Sequence, residues 1–175
     1  PTAMAQVAGG AFQQGITPIA MMAAPSFNDS FVREGFALAP LFTSGSMYVT
    51  AFTQPYEANT PGHAAMRATF DAVGQATGNL FVTAGWTSQY HLKDVLEAAI
   101  KGGDITRAGI RRAAANVNVS SDQMMPTKNL GQEGGQTETY VGVPTADNLS
   151  GINTLAWPYT GPTAAAKDWT AGPCS

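Results

Sequence analysis

Apolar positions recur along the chain at two periods. Residues 3–14 alternate small apolar and polar side chains in the manner of a helix, with Thr2 as a candidate N-cap and Gly15 as a stop. Residues 16–22 form a short apolar run without helical period, which predicts a buried strand. After the loop 23–28, Asp29 can cap a short helix from Ser30 towards Gly35. Residues 47–52 mix β-branched and aromatic side chains behind the turn signal Ser44-Gly45-Ser46 and predict a second strand.

Thr53-Gln54-Pro55-Tyr56 interrupts that strand, after which Thr60 caps a helix with Pro61 in its first position. Met66, Phe70 and Val73 stand at i, i+4 and i+7 and give this helix one apolar stripe. The longest helix spans 81–101, with Leu92, Val95, Leu96, Ala99 and Ile100 as its apolar face and Gly102-Gly103 as its end. Thr106 caps a further helix to about Val117, with Ile105 and Ile110 spaced as a hydrophobic staple. Beyond Ser120 only 140–143 and 152–157 are apolar enough for strands, and the glycine-rich 131–135 reads as a connection.

Alternating strands and helices predict an α/β fold with a parallel sheet. Two strong strands do not complete a doubly wound sheet, so the chain reads as a part of a larger unit. Its 175 residues are 44% hydrophobic, enough for a packed core. Only 12% are charged, against an ordinary share of about 25%, which suits an exported protein.

The net charge of −3 and nine scattered basic residues leave no concentrated basic face, so a nucleic-acid partner is not expected. The apolar stretches fall short of the ~20 residues a membrane helix needs. Residues 1–4 lack the features of a signal peptide, and Cys174, the single cysteine, has no internal partner.

The order and spacing of three stretches resemble the C-terminal half of type I periplasmic (extracytoplasmic) solute-binding proteins, in particular the Leu/Ile/Val-binding group of ABC transporters. The first runs from Ala5-Gln6-Val7 through Gly15-Ile16-Thr17-Pro18-Ile19 into Asn28-Asp29-Ser30-Phe31. The second is Gly45-Ser46-Met47-Tyr48-Val49-Thr50 with the helix 61–72, similar to the family's G-x-x-V-T strand and the helix after it. The third joins Phe81-Val82-Thr83-Ala84-Gly85-Trp86 to residues 92–101 and then to Asp104-Ile105-Thr106 and Ile110.

The resemblance implies two Rossmann-like lobes joined by hinge crossovers. On that plan residues 1–51 end the second lobe and 52–56 form a crossover. Residues 57–135 return to the first lobe, and 136–175 form the last crossover and tail. It implies a small solute (an amino acid, amide or similar) captured between the lobes by hinge closure. It further implies a membrane permease of an ABC importer as partner, a missing N-terminal half, and an extracytoplasmic setting with any lipid anchor on that absent N-terminus. A ligand-sensing receptor on the same fold is the alternative.

Matching positions place Ala24, Pro25, Ser26, Phe27, Asn28 and Phe81 at the ligand, and Ala51, Phe52, Thr53, Gln54 and Pro55 at the hinge. The family's amino-acid binders carry an acidic residue in the first loop. Here Ala24, Pro25 and Ser26 supply no carboxylate, which makes a less polar or uncharged solute easier to accommodate.

No cofactor is expected. His63 and His91 lack neighbours at ligand spacing, so no metal site is expected either. Ser88, His91 and Asp94 share one helix face, but a row along a helix does not place the acid behind the histidine as a catalytic triad requires. No catalytic residue is assigned, and the chain is not read as an enzyme.

Overall fold

The computed structural model describes residues 2–74, 78–131 and 137–168. The glycine-rich connection at 132–135, the capping side chain of Thr2 and the tail cysteine Cys174 lie outside what is described.

The chain opens with helix α1 (Thr2–Gln13), which Gly15 ends at φ +75. Strand β1 (Ala20–Ala23) is shorter than the apolar run that announced it. Two 3-10 turns, Ala24–Ser26 and Asp29–Val32, lead to the short helix α2 (Ala39–Phe42) and strand β2 (Met47–Ala51). The second turn is capped by Asn28, whose side chain accepts from the Ser30 amide, and not by Asp29 as the sequence suggested.

Helix α3 (Pro61–Ala72) begins where the pattern placed it, with the Thr60 hydroxyl accepting from the His63 amide. Helix α4 (Leu80–Lys101) is capped by Asn79 and ends at Gly102. Helix α5 (Arg107–Ala114) is capped by Thr106 and stops short of Val117. The small hairpin β3 (Asn118–Val119) and β4 (Lys128–Asn129) precedes β5 (Thr139–Pro144), β6 (Ile152–Tyr159) and a last short helix α6 (Pro162–Ala166).

The main sheet has the order β1-β2-β5-β6. β1 and β2 run parallel, with Ala20 beside Met47 and Ala23 beside Thr50. β5 then pairs antiparallel with β2, and β6 antiparallel with β5. The sheet is therefore mixed rather than parallel throughout. Its later strands come from the chain beyond Ser120, where apolar runs are short and glycines frequent.

Two hydrophobic clusters hold the structure. The larger joins α1 to the sheet and the β1–β2 connection, with Met22, Phe27, Leu41, Phe42, Met47, Val49, Tyr140 and Ile152 almost wholly buried. Within it Phe31 stacks on Phe36 at 5.1 Å and packs against Phe42 at 4.9 Å and Phe27 at 6.1 Å. A parallel pair needs a long crossover, and these rings give this one an interior. The smaller cluster gathers Tyr56, Met66 and Met124 with Phe70, Val82, Trp86 and Tyr90.

Arg33 fixes the β5–β6 turn by donating to the carbonyls of Ala146 (2.9 Å), Asn148 (2.8 Å) and Leu149 (2.6 Å). Val73, expected on the buried stripe of α3, is exposed at the helix end. On α4, Val95 and Ala99 are buried, yet Leu92 is 57% and Ile100 64% exposed. The apolar face predicted for that helix is thus only half covered.

His63 is fully buried at the start of α3, its Nδ1 2.7 Å from the Thr60 hydroxyl. Burial holds its pKa below the ordinary 6.5, and burial does the same for His91. The unfolded chain therefore takes up these protons first as pH falls. Stability due to the neutral imidazoles is complete above pH 6.5 and is lost as pH falls through the lower folded values. Urea unfolding should show a lower free energy at pH 5 than at pH 7.5. The difference should shrink in the His63→Asn variant; an unchanged difference would remove His63 from the account.

Candidate ligand-binding site

Parallel strands aim their carboxyl ends at one edge of a sheet, where loops leave room for a ligand. β1 and β2 do so here, and a cavity of about 320 Å³ opens at that edge. Ala23, Ala24 and Pro25 approach it from the end of β1, and Thr50, Ala51 and Phe52 from the end of β2. The first two turns of α4 supply Leu80, Phe81 and Ala84, and Thr139 enters from the start of β5. The capping of α4 by Asn79, whose Oδ1 accepts from the Val82 amide at 2.9 Å, sets where the helix begins.

The lining is apolar apart from two hydroxyls. Thr139 Oγ1 donates to the Ala51 carbonyl at 2.9 Å, and Thr50 Oγ1 reaches the Met22 carbonyl at 3.4 Å. Both are directed at backbone, and among the described residues none that lines the cavity carries a charge. Phe81 is 47% and Phe52 39% exposed, so an aromatic ring stands at the cavity from each of the two elements.

Of the residues the sequence placed at a ligand, Ala24, Pro25 and Phe81 meet around this cavity. Ser26 lies next to it without lining it. Phe27 turns away into the main core, where it is 1% exposed against Phe31. Asn28 spends its side-chain oxygen on capping the next turn. Sequence reasoning missed Ala23, Thr50, Leu80, Ala84 and Thr139. Leu80 and Ala84 flank Phe81 on α4 at neighbouring and i+3 positions, a signal present in the sequence. Thr139 depends on β5 pairing with β2, which no local pattern reveals.

The segment 51–55 leaves the sheet beside the cavity. Ala51 and Phe52 line it, and the next residues are tied to the loop after β3. Thr53 is fully buried; its hydroxyl donates to the Met124 carbonyl at 3.0 Å and lies 3.1 Å from the Thr87 hydroxyl on α4. The Gln54 amide donates to the same carbonyl at 3.1 Å, and its side chain to the Gln123 carbonyl at 3.2 Å. That receiving loop takes a left-handed path, with positive φ at Ser121, Asp122 and Gln123. Left-handed backbone is costly for non-glycine residues and persists where its surroundings hold it.

Further along, the Glu57 carboxylate accepts from the Ser150 amide at 2.8 Å and from its hydroxyl at 2.6 Å. Arg67 donates to the carbonyls of Tyr56 (2.7 Å) and Ala58 (3.0 Å). Tyr140, beside Ala51 in the sheet, is buried, and burial pushes its hydroxyl above the ordinary tyrosine range.

Superposition on solved proteins identifies the fold as that of about half of a type I periplasmic binding protein. The chain superposes on a fatty acid ABC transporter substrate-binding protein from Thermomonospora curvata with a TM-score of 0.81 and 17% identity. That match covers 97% of this chain and 43% of the other. It also superposes on a branched-chain amino acid ABC transporter protein from Thermus thermophilus solved with bound valine, with a TM-score of 0.67 and 12% identity. Here 92% of this chain and 44% of the other are covered, so the chain spans less than half the length of either. No family model and no curated protein matches the sequence.

Removing the Thr53 hydroxyl should loosen the crossover. The Thr53→Val variant should lose about 1–2 kcal/mol of unfolding free energy in urea titration, and Thr53→Ser should retain most of it. Equal losses in both variants would show that packing, and not the hydroxyl, holds this segment.

Proposed function

We propose that this chain is part of the solute-binding component of an ABC importer, holding a small solute between two lobes and closing about a hinge. The observation that carries the proposal is the cavity where β1 and β2 end, walled by Phe81 of α4 and joined directly to the 51–55 crossover. Ala24, Pro25 and Phe81 contact the solute, with Ser26 beside them. Ala51, Phe52, Thr53, Gln54 and Pro55 form one hinge segment. A ligand that touches both the sheet edge and α4 binds the closed arrangement better than the open one, which is the requirement for ligand-driven closure.

The remaining half of such a protein has places to dock. Leu92 and Ile100 are exposed on the later turns of α4. β1 is an edge strand, with Ile19 and Met21 exposed at it. Exposed apolar side chains on a helix and at a sheet edge are the kind of surface an interaction site uses. In this reading an N-terminal half covers these faces, a membrane permease receives the closed form, and the protein works outside the cytoplasm. The solved proteins of similar fold are named for a fatty acid and for a branched-chain amino acid, so the fold leaves the cargo open. No catalytic step enters.

Isothermal titration of the full-length protein against amino acids, amides, small aromatics and alkyl acids should yield at least one tight ligand. Small-angle scattering should then show a reduced radius of gyration in the complex. A tight ligand without compaction would contradict hinge closure, and silence across the panel would contradict solute binding.

A further inference from the structure

Resting on the solute-binding reading, we infer that the solute presents a hydrocarbon portion to the cavity between β1, β2 and α4 and carries its polar group elsewhere. The cavity is built by the smallness of its lining: Ala23, Ala51 and Ala84 stand where larger side chains would fill the space, and Leu80 and the phenyl rings of Phe52 and Phe81 complete it. An ammonium group placed there would find no carboxylate among the lining residues, and an unpaired charge out of water is costly. A carboxylate would find no cation among them either. The hydroxyls of Thr50 and Thr139 are turned to the carbonyls of Met22 and Ala51. Water would gain few partners in so apolar a space, whereas an alkyl or similar group fills it without losing hydrogen bonds. The volume of about 320 Å³ lies at the lower end of small-molecule sites, which suits one apolar part of a solute.

The chain-length dependence of binding tests this with the full-length protein. Straight-chain carboxylates from butyrate to decanoate and the matching primary amides would be titrated calorimetrically, with leucine and glutamine as comparators. Affinity should rise about fourfold per added methylene, the equivalent of about 0.8 kcal/mol, with the same slope for acids and amides, and then level off when the cavity is full. Ala84→Leu should make the slope level off at a shorter chain. Ala84→Asp should flatten it while leaving the thermal unfolding midpoint within a few degrees of wild type, since Ala84 lies on a partly exposed helix face. Tight glutamine binding with no dependence on alkyl length in the acid and amide series would overturn the hydrocarbon assignment and leave the solute-binding reading standing. No binding in any series would overturn both.

Discussion

The carbonyl of Met124 accepts from both the Thr53 hydroxyl and the Gln54 amide, and the arrangement of the cavity depends on that hold. β2 ends at Ala51, and α4 begins beyond Asn79. Between them the chain makes a long excursion through α3. Without a fixed point after β2, the first turn of α4 would have no set distance from the strand ends. The contact between the Thr53 and Thr87 hydroxyls carries the same constraint onto α4 itself. Glu57 and Ser150 add a second tie from the crossover to the β5–β6 turn, with a charged acceptor that makes such bonds stronger than neutral ones.

These ties are polar and buried, while the surfaces they orient are apolar. Hydrogen bonds of fixed direction set the path of the crossover, whereas the apolar faces of Phe52 and Phe81 at the cavity are non-directional. The left-handed turn at Ser121–Gln123 belongs to the same device. It carries the acceptor carbonyls at the price of backbone strain, and the burial of Met124 beside Tyr56 and Met66 holds it in place.

Much of the local structure was legible in the sequence because it is locally determined. Thr60 before Pro61, Thr106 before Arg107 and the glycines after Lys101 each satisfy helix ends from within a few residues, and each acts as its chemistry predicts. One cap was read one residue out: Asn28, not Asp29, caps the second 3-10 turn, through a bond from the Ser30 amide two residues on. The mixed sheet was not legible, since β5 pairs with a strand some ninety residues earlier, β6 joins the sheet only through β5, and both carry short apolar runs. The cavity was half legible. Ala24, Pro25 and Phe81 came from the order of motifs. Phe27, which the order of motifs placed with them, packs into the core with Phe31, Phe36 and Phe42, contacts that local pattern does not reveal.

The most direct test of the account is the position at which a bound solute touches the chain. Photolabelling of the full-length protein with a diazirine-bearing alkyl carboxylate, followed by peptide mapping, gives that position. Label confined to residues 23–25, 50–52 and 80–84, and displaced by excess unlabelled alkyl acid, is the predicted result. Displaceable label in the groove between α4 and α5 around Ala98, Gly109 and Arg112, with none at Phe81, would contradict it.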